Sequence, residues 1–197
     1  MKELIVATKN PGKVDEFRQM FSKYGISVKS LLDIDRSIDI EETGSTFEEN
    51  AVIKAEAMAE HFAVAVVSDD SGLEVDALNG EPGVYSARYA GIEKDDGKNT
   101  EKLLKELYGV PEEKRTARFV CAVAVARPGE NTFVRRGTCE GVIATEPQGT
   151  NGFGYDPVFI PEGSSRTMAE HSSEEKNAIS HRHHAIQQIE EWLKTQS

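Results

Sequence analysis

The sequence lacks the features that mark secreted, membrane-spanning and genome-binding proteins. Its apolar runs fall far short of the about 20 residues that a membrane-spanning helix requires. The opening MKELIVAT is too short for the apolar core of a signal peptide, so we expect no secretory leader. Lysine and arginine, 23 in all, are outnumbered by 34 aspartates and glutamates, which gives a net charge of −11. Contacts along a nucleic acid need a spread basic surface, so we predict neither a nucleic acid nor a membrane as partner.

Cysteine is scarce as well. Only Cys121 and Cys139 occur, and both lie in apolar or β-branched surroundings without CxxC spacing. Such residues are typical of reduced core positions in cytosolic proteins rather than of a disulfide framework. We therefore predict a cytoplasmic protein.

Several signatures of known site chemistry are also missing. The chain has no GxxxxGK[ST] loop, which excludes a Walker A nucleotide site. It has no HExxH or CxxC motif that would support a zinc site around its clustered histidines. It has SDDSG after a predicted strand, where a phosphatase with an aspartyl nucleophile requires DxD.

What the sequence does contain is an alternation of short apolar segments and helical patterns. Strands are predicted at residues 4–8, 63–68, 117–126, 132–144 and 158–160. A helix is predicted from Lys13 onward, where Phe17 and Phe21 have helical spacing, and another at residues 47–62, where Thr46 and Glu49 have capping-box spacing. Further helices are predicted at residues 99–107 and 179–193. The SDDSG segment is expected to stop the second strand. No repeat or low-complexity linker divides the chain, so residues 1–197 are predicted to form a single mixed-sheet α/β domain.

The turn TKNPGK lies between the first predicted strand and the first predicted helix. Backbone N–H groups at a helix N-terminus favour anions, Gly12 allows close approach, and Thr8, Asn10 and Lys13 supply further donors. The turn therefore indicates an anion site, although an ordinary strand–helix connection explains the same residues.

Acidic residues follow in two segments, IEETG and SDDSG. If the intervening helix returns the chain to the same sheet edge, Glu41, Glu42, Asp69 and Asp70 come together. Mg²⁺ is commonly held by one or two carboxylates, with waters and substrate phosphates as further ligands. The alternative is acidic capping of loops and first helical turns. It explains two adjacent aspartates after a buried strand poorly.

The segment GTNGFGYDPVF surrounds two aromatic residues with glycines. We interpret it as a loop that presents Phe153 and Tyr155, with Asp156 beside them, because aromatic faces stack on nucleotide bases. The alternative is that both aromatic rings belong to the core.

Near the C-terminus, NAISHRHHAI places an arginine among three of the five histidines. Cationic donors in this acidic protein suit a small anionic or acceptor-rich ligand. For His183 and His184, an exposed helix surface explains the pattern equally well.

These segments together carry a resemblance. ATKNPGKVDEF, EETGSTFEENAVIKA, SDDSGLEVDALNGEPGVYSARYAG, GFGYDPVF and EEKNAISHR occur in this order. In that combination the sequence resembles the bacterial form of the inosine triphosphatase-like family of non-standard purine nucleoside triphosphate diphosphatases. The resemblance implies Mg²⁺-dependent hydrolysis of ITP, dITP and XTP to the monophosphate and pyrophosphate. It also implies a homodimer, and an α/β fold whose elongated mixed β-sheet is flanked by helices, with two lobes around a central substrate cleft.

The resemblance also implies roles for individual residues. The triphosphate would be bound by Thr8, Lys9, Asn10, Pro11, Gly12, Lys13 and Lys54. Mg²⁺ would be held by Glu42 and Asp70, and Asp70 would also be the proton acceptor. Ser71 would contact the substrate. The base would be bound by Phe153, Gly154, Tyr155 and Asp156, and recognised by Lys176, His181 and Arg182.

Two other functions remain open from the sequence. One is a phosphatase of another class that uses an aspartyl nucleophile, and the other is a nucleotide sensor without turnover. The cationic segment favours an oxo-purine, because a 6-oxo group accepts hydrogen bonds whereas the 6-amino group of adenine donates them. Whether Glu41 or Asp69 joins the metal site is not decided by the sequence.

Overall fold

The computed structural model describes residues 3–194, without the side chains of Glu191 and Leu193. The strands are β1 (Glu3–Val6), β2 (Ser27–Ser30), β3 (Val66–Val75), β4 (Thr116–Ala126), β5 (Phe133–Ile143) and β6 (Phe159–Pro161). The α-helices are α1 (Pro11–Ser22), α2 (Leu31–Ile34), α3 (Phe47–Phe62), α4 (Asp96–Glu106), α5 (Ser173–Ile179), α6 (His181–Gln187) and α7 (Glu190–Lys194). Short 3₁₀ helices cover Asp76–Leu78, Gly83–Arg88, Glu112–Lys114, Asp156–Val158 and Met168–Glu170. Among the described helices, none is both long and apolar enough to cross a membrane.

The six strands form one sheet in the order β2-β1-β3-β4-β5-β6. Strand β1 pairs in parallel with β2 and with β3, where Ile5 lies opposite Val66. Strand β5 pairs antiparallel with β6, where Val142 lies opposite Ile160. Parallel and antiparallel pairs therefore occur in one sheet, and the prediction of a mixed-sheet α/β fold is confirmed.

The chain forms two compact units, and neither is a contiguous piece of sequence. Of the described residues, the first unit contains 3–70, 121–137 and 182–194. The second contains residues 71–120 and 138–181. The strand β3 thus passes from the first unit into the second between Asp70 and Ser71.

Each unit has its own apolar core. The core of the first unit consists of Leu4, Val6, Phe17, Met20, Phe21, Ile26, Val67, Cys121, Val123, Val125, Ala185, Ile186 and Ile189. The core of the second consists of Leu73, Val75, Leu103, Leu107, Ala117, Phe119, Cys139, Ile143, Tyr155, Val158, Phe159 and Met168. Both cysteines are buried free thiols, as the sequence predicts.

Local sequence explains where the long helices begin. The side chain of Asn10 caps α1 and Pro11 occupies its first position, where a missing N–H costs nothing. Thr46 and Glu49 form the predicted capping box at the start of α3. The side chain of Asp95 caps α4, so that helix begins three residues before its predicted start.

Two boundary predictions are wrong. Strand β3 does not stop at SDDSG but continues through it to Val75, because the buried carboxylates there have partners inside the protein. The predicted closing helix, residues 179–193, is interrupted: its first residue ends α5, and the rest is divided between α6 and α7. Ser180 adopts an extended backbone, with φ −71° and ψ 155°, which interrupts the helical hydrogen-bond ladder before His181.

Candidate active site

In the predicted anion turn, the side chains of Thr8 and Asn10 form hydrogen bonds within the turn itself. The side chain of Asn10 accepts a hydrogen bond from the backbone N–H of Lys13 at 3.2 Å. The backbone N–H of Asn10 donates to the hydroxyl of Thr8 at 3.2 Å. Lys9 forms a surface ion pair with Asp39 at 3.3 Å. The turn therefore presents the positive end of the α1 dipole with Pro11 and Gly12 in its first turn.

Lys13 leads from this turn to a group of buried charges, which we call the Asp69 cluster: Lys13, Glu16, Asp69 and Arg182. The Oδ2 atom of Asp69 lies 3.1 Å from the Lys13 ammonium and 3.0 Å from the Arg182 guanidinium. Arg182 also donates to Glu16. The side chains of Asp69 and Arg182 are completely buried.

Electrostatics keep Asp69 ionised. Burial alone would raise the pKa of its carboxyl, but the charges of Lys13, Arg182 and Lys54 outweigh burial and hold that pKa well below its usual value. Burial would likewise lower the pKa of Arg182, but Glu16 and Asp69 raise it instead. The ions of the cluster therefore stabilise one another, and the Lys13 ammonium is fixed by its ion pair with Asp69.

The neighbouring aspartate belongs to a different group, the Asp70 cluster: Glu42, Asn50, Lys54 and Asp70. The Asn50 amide donates to Oδ2 of Asp70 at 3.0 Å, and its carbonyl accepts from the N–H of Gly44 at 2.8 Å. A Cβ on Gly44 would lie 2.6 Å from that same Asn50 oxygen, so only glycine leaves room for the contact. Lys54 pairs with Oε1 of Glu42 at 2.5 Å.

The pKa of the Asp70 carboxyl moves in the opposite direction to that of Asp69. Burial raises it and the charge of Glu42 raises it further, while Lys54 and Lys13 counteract only in part. Lys54, although buried, keeps a raised pKa because Glu42, Asp70 and Asp69 surround it with negative charge. Carboxyl groups whose pKa values are pushed apart are typical of acid–base sites.

The second unit contains the segment that we call the base loop, residues 152–156. Oδ2 of Asp156 accepts from the backbone N–H of Phe153 at 3.0 Å and from the Lys176 ammonium at 2.6 Å. The Lys176 ammonium lies 4.4 Å from the centre of the Phe153 ring. A Cβ on Gly152 would lie 2.1 Å from the Asp156 carboxylate, so the close turn requires glycine.

The prediction that both aromatics of this loop are presented to a ligand is wrong for Tyr155. Its ring belongs to the core of the second unit, with 5 % of the residue exposed, and its hydroxyl donates to the carbonyl of Ser86 at 2.6 Å. The flanking glycines serve the tight turn rather than the exposure of this ring. Phe153 is partly exposed, as a stacking surface requires.

The SHR segment is divided between the two units. The His181 ring stacks on Phe119 at 5.0 Å in the second unit. Arg182 belongs to the Asp69 cluster in the first unit, and its predicted contact with a base stays a prediction. Among the other predicted residues, Ser71 is half-buried at the start of the second unit.

Sequence reasoning missed Glu16 and Asn50 and left Asp69 undecided. Successive side chains of a strand point to opposite faces, so adjacent aspartates in β3 cannot serve one site in the same way. Recognition of SDDSG as strand would have separated Asp69 from Asp70. Glu16 lies three residues after Lys13 on α1, which places both on one helix face.

The chain is similar to known proteins along nearly its whole length. The sequence pattern of the Ham1 family matches residues 4–192. The chain belongs to the Ham1 family. It is 62% identical over 193 residues to a dITP/XTP pyrophosphatase of Halalkalibacterium halodurans, covering 98% of this chain and 100% of that protein.

Solved Ham1 structures show the same fold. The Ham1 protein of Staphylococcus aureus superposes with a TM-score of 0.87 at 46% identity, and 100% of both chains is covered. A Ham1 protein of Coxiella burnetii superposes with a TM-score of 0.87 at 40% identity, covering 99% of this chain and 100% of that one. The family resemblance inferred from the five motifs is therefore confirmed.

Proposed function

We propose that this protein hydrolyses non-standard purine nucleoside triphosphates, dITP, XTP and ITP, to the monophosphate and pyrophosphate. The observation that carries the proposal is the Asp70 cluster, where a buried carboxyl of raised pKa stands beside Glu42 and the buried Lys54. The substrate class rests on the full-length similarity to a dITP/XTP pyrophosphatase. Such an activity would remove these nucleotides from the pool used for DNA and RNA synthesis.

Glu42 and Asp70 would hold Mg²⁺. Both are carboxylates whose charges act on each other and on Lys54, and a divalent cation would offset their negative charge. Within residues 3–194, no group of three or more His, Cys, Asp or Glu side chains is arranged to hold a metal ion. Two carboxylates alone suit Mg²⁺, which takes its remaining ligands from water and substrate phosphates. When bound, the ion would offset charge on the phosphate oxygens.

The protein's own side chains would then position the triphosphate. Lys13, anchored by Asp69, and Lys54, anchored by Glu42, would offset the charge that develops on the pyrophosphate. Asp70 would orient the attacking water and accept its proton.

Base selection would depend on the second unit. Phe153 offers a ring face for stacking, and the Lys176 ammonium offers donors to a 6-oxo group. Adenine would offer that ammonium no acceptor at this position, because its 6-amino group donates as well. Desolvated polar groups left without partners cost about 1–3 kcal/mol each, which is enough to discriminate between the two bases.

Two further parts of the proposal concern the state of the protein. We propose a homodimer, to be tested by light scattering coupled to size-exclusion chromatography. We also propose a cytoplasmic location, which the two buried free thiols support.

A panel of nucleoside triphosphates assayed with Mg²⁺ tests the proposed function. Pyrophosphate and orthophosphate are scored separately for dITP, XTP, ITP, dATP and dGTP. We expect pyrophosphate from the first three and little product from the others. Orthophosphate as the first product would favour an aspartyl-nucleophile phosphatase, and binding without product would favour a sensor.

A further inference from the structure

Helix α4 begins with two aspartates that have different partners. Asp95 caps the helix, since its Oδ1 accepts from the backbone N–H of Lys98 at 2.8 Å. Asp96, the next residue, is therefore not needed as the cap. Its Oδ2 instead accepts from the backbone N–H of Gly154 at 2.8 Å, in the base loop 58 positions away.

That hydrogen bond acts at a sensitive point of the base loop. The N–H of Gly154 belongs to the peptide plane that it shares with Phe153, so a contact that fixes this plane restricts the backbone rotation next to the Phe153 ring. Gly154 itself has φ +61°, a left-handed conformation that other residues adopt at a cost. A hydrogen bond from outside the loop therefore stabilises the conformation of this peptide.

Helix α4 also holds the segment against which the base loop is anchored. The Asn99 side chain accepts from the N–H of Ala90 at 2.7 Å and donates to the carbonyl of Ala87 at 2.9 Å. Ser86 of the same segment accepts the hydroxyl of Tyr155. One helix thus contacts the loop directly through Asp96 and supports its Tyr155 anchor through Asn99.

We propose that Asp96 is a positioning residue for purine binding. It fixes the Phe153–Gly154 peptide so that the Phe153 ring and Lys176 keep their places for the base. The inference rests on the proposed function, because it assigns the base loop to the purine. In this role Asp96 acts on the base through the loop and not by direct contact.

The test compares Asp96→Ala with Asp95→Ala, which truncate the same type of side chain at two adjacent positions. For Asp96→Ala we expect KM for dITP to rise about fivefold, the equivalent of one modest hydrogen bond, with kcat changed less than about twofold. Inhibition by inorganic tripolyphosphate, which has no base, should stay unchanged. Asp96→Asn keeps an acceptor oxygen and should restore most of the KM.

The control variant separates positioning from stability. Asp95→Ala removes the helix cap and should lower the melting temperature by about 2–4 °C while KM stays at the wild-type value. Hydrogen exchange at the Gly154 amide should accelerate in Asp96→Ala and not in Asp95→Ala. This readout involves no nucleotide.

Three results would overturn the inference. The first is an unchanged KM in Asp96→Ala despite faster exchange of the Gly154 amide. The second is an equal change of KM in the two alanine variants. The third is a loss of tripolyphosphate inhibition in Asp96→Ala as large as the change in KM for dITP. If the wild-type protein releases no pyrophosphate from dITP, the proposed function fails as well. An active wild type with an unaffected Asp96→Ala variant contradicts this inference alone.

Discussion

The Asp69 cluster and the Asp70 cluster are built around adjacent residues of one strand, but their partners differ in kind. Asp69 contacts two cations, Lys13 and Arg182, at 3.1 and 3.0 Å. Asp70 receives a hydrogen bond from the neutral amide of Asn50 and stands near the negative Glu42. The pKa of Asp69 therefore falls although that residue is the more deeply buried, while the pKa of Asp70 rises. The cationic partners of Asp69 outweigh its burial, whereas at Asp70 burial outweighs the attraction of Lys54 and Lys13.

Asp69→Asn should give the largest effect, and it should appear in stability. Removal of one partner from a buried ion pair costs about 3–5 kcal/mol, because Arg182 and Lys13 keep their charges without the counter-ion. Urea unfolding of the wild type and the variant measures the difference. A loss below about 1 kcal/mol would show that Asp69 is not the anion that holds these cations.

Asp70→Asn should instead affect turnover. The substitution keeps the shape and removes a carboxyl whose charged form burial disfavours, so the fold should be retained or slightly stabilised. We expect pyrophosphate release to fall about 10²-fold or more, as is typical for a group that acts in the transition state. Near wild-type rates with a normal melting curve would remove Asp70 from the mechanism.

Lys13→Ala tests the point at which the Asp69 cluster meets the predicted phosphate site. KM should rise about tenfold for dITP and for dATP alike, because a lost phosphate contact is common to both nucleotides. The ratio of kcat/KM values for the two nucleotides should stay unchanged. A change in that ratio would assign Lys13 to the base instead.

The smallest expected effect is a difference between the pKa values of Asp69 and Asp70. In the metal-free protein, carboxyl NMR should find that Asp70 protonates above the usual value of about 3.9, while Asp69 remains ionised below it. An acid with a lowered pKa stabilises the fold above its unfolded-state pKa, and this contribution is lost as the pH falls. Stability of the wild type should therefore decline below about pH 4 more steeply than that of Asp69→Asn. Parallel declines would contradict the lowered pKa.

Local patterns predicted much of the fold. The capping residues Thr46 and Glu49 placed the start of α3, and the spacing of Phe17 and Phe21 identified α1, where the two rings stack 5.8 Å apart. The mixed sheet followed from the order of apolar segments. These features depend on residues that are close in sequence.

The errors share a cause, which is that distant residues decided the outcome. SDDSG has the composition of a turn, but Lys13, Arg182 and Asn50, from other parts of the chain, give its carboxylates the partners that a buried strand requires. Tyr155 is surrounded by glycines, yet the distant Ser86 carbonyl binds its hydroxyl. The sequence left Asp69 undecided for the same reason, because adjacent residues of one strand can have different distant partners.

The interleaving of the two units has a consequence for synthesis on the ribosome. Of the core residues named for the second unit, the last in the chain is Met168. The core of the first unit begins with Leu4 but also needs Ala185, Ile186 and Ile189, and its buried Asp69 needs Arg182. Because translation proceeds from the N-terminus, the first-made residues of this core cannot complete their packing until the last helices have been made. In a chain that stops before residue 182, the apolar surface of this core and the Asp69 carboxylate lack the segments that cover them. We therefore expect chains truncated before residue 182 to be recognised by chaperones and proteases.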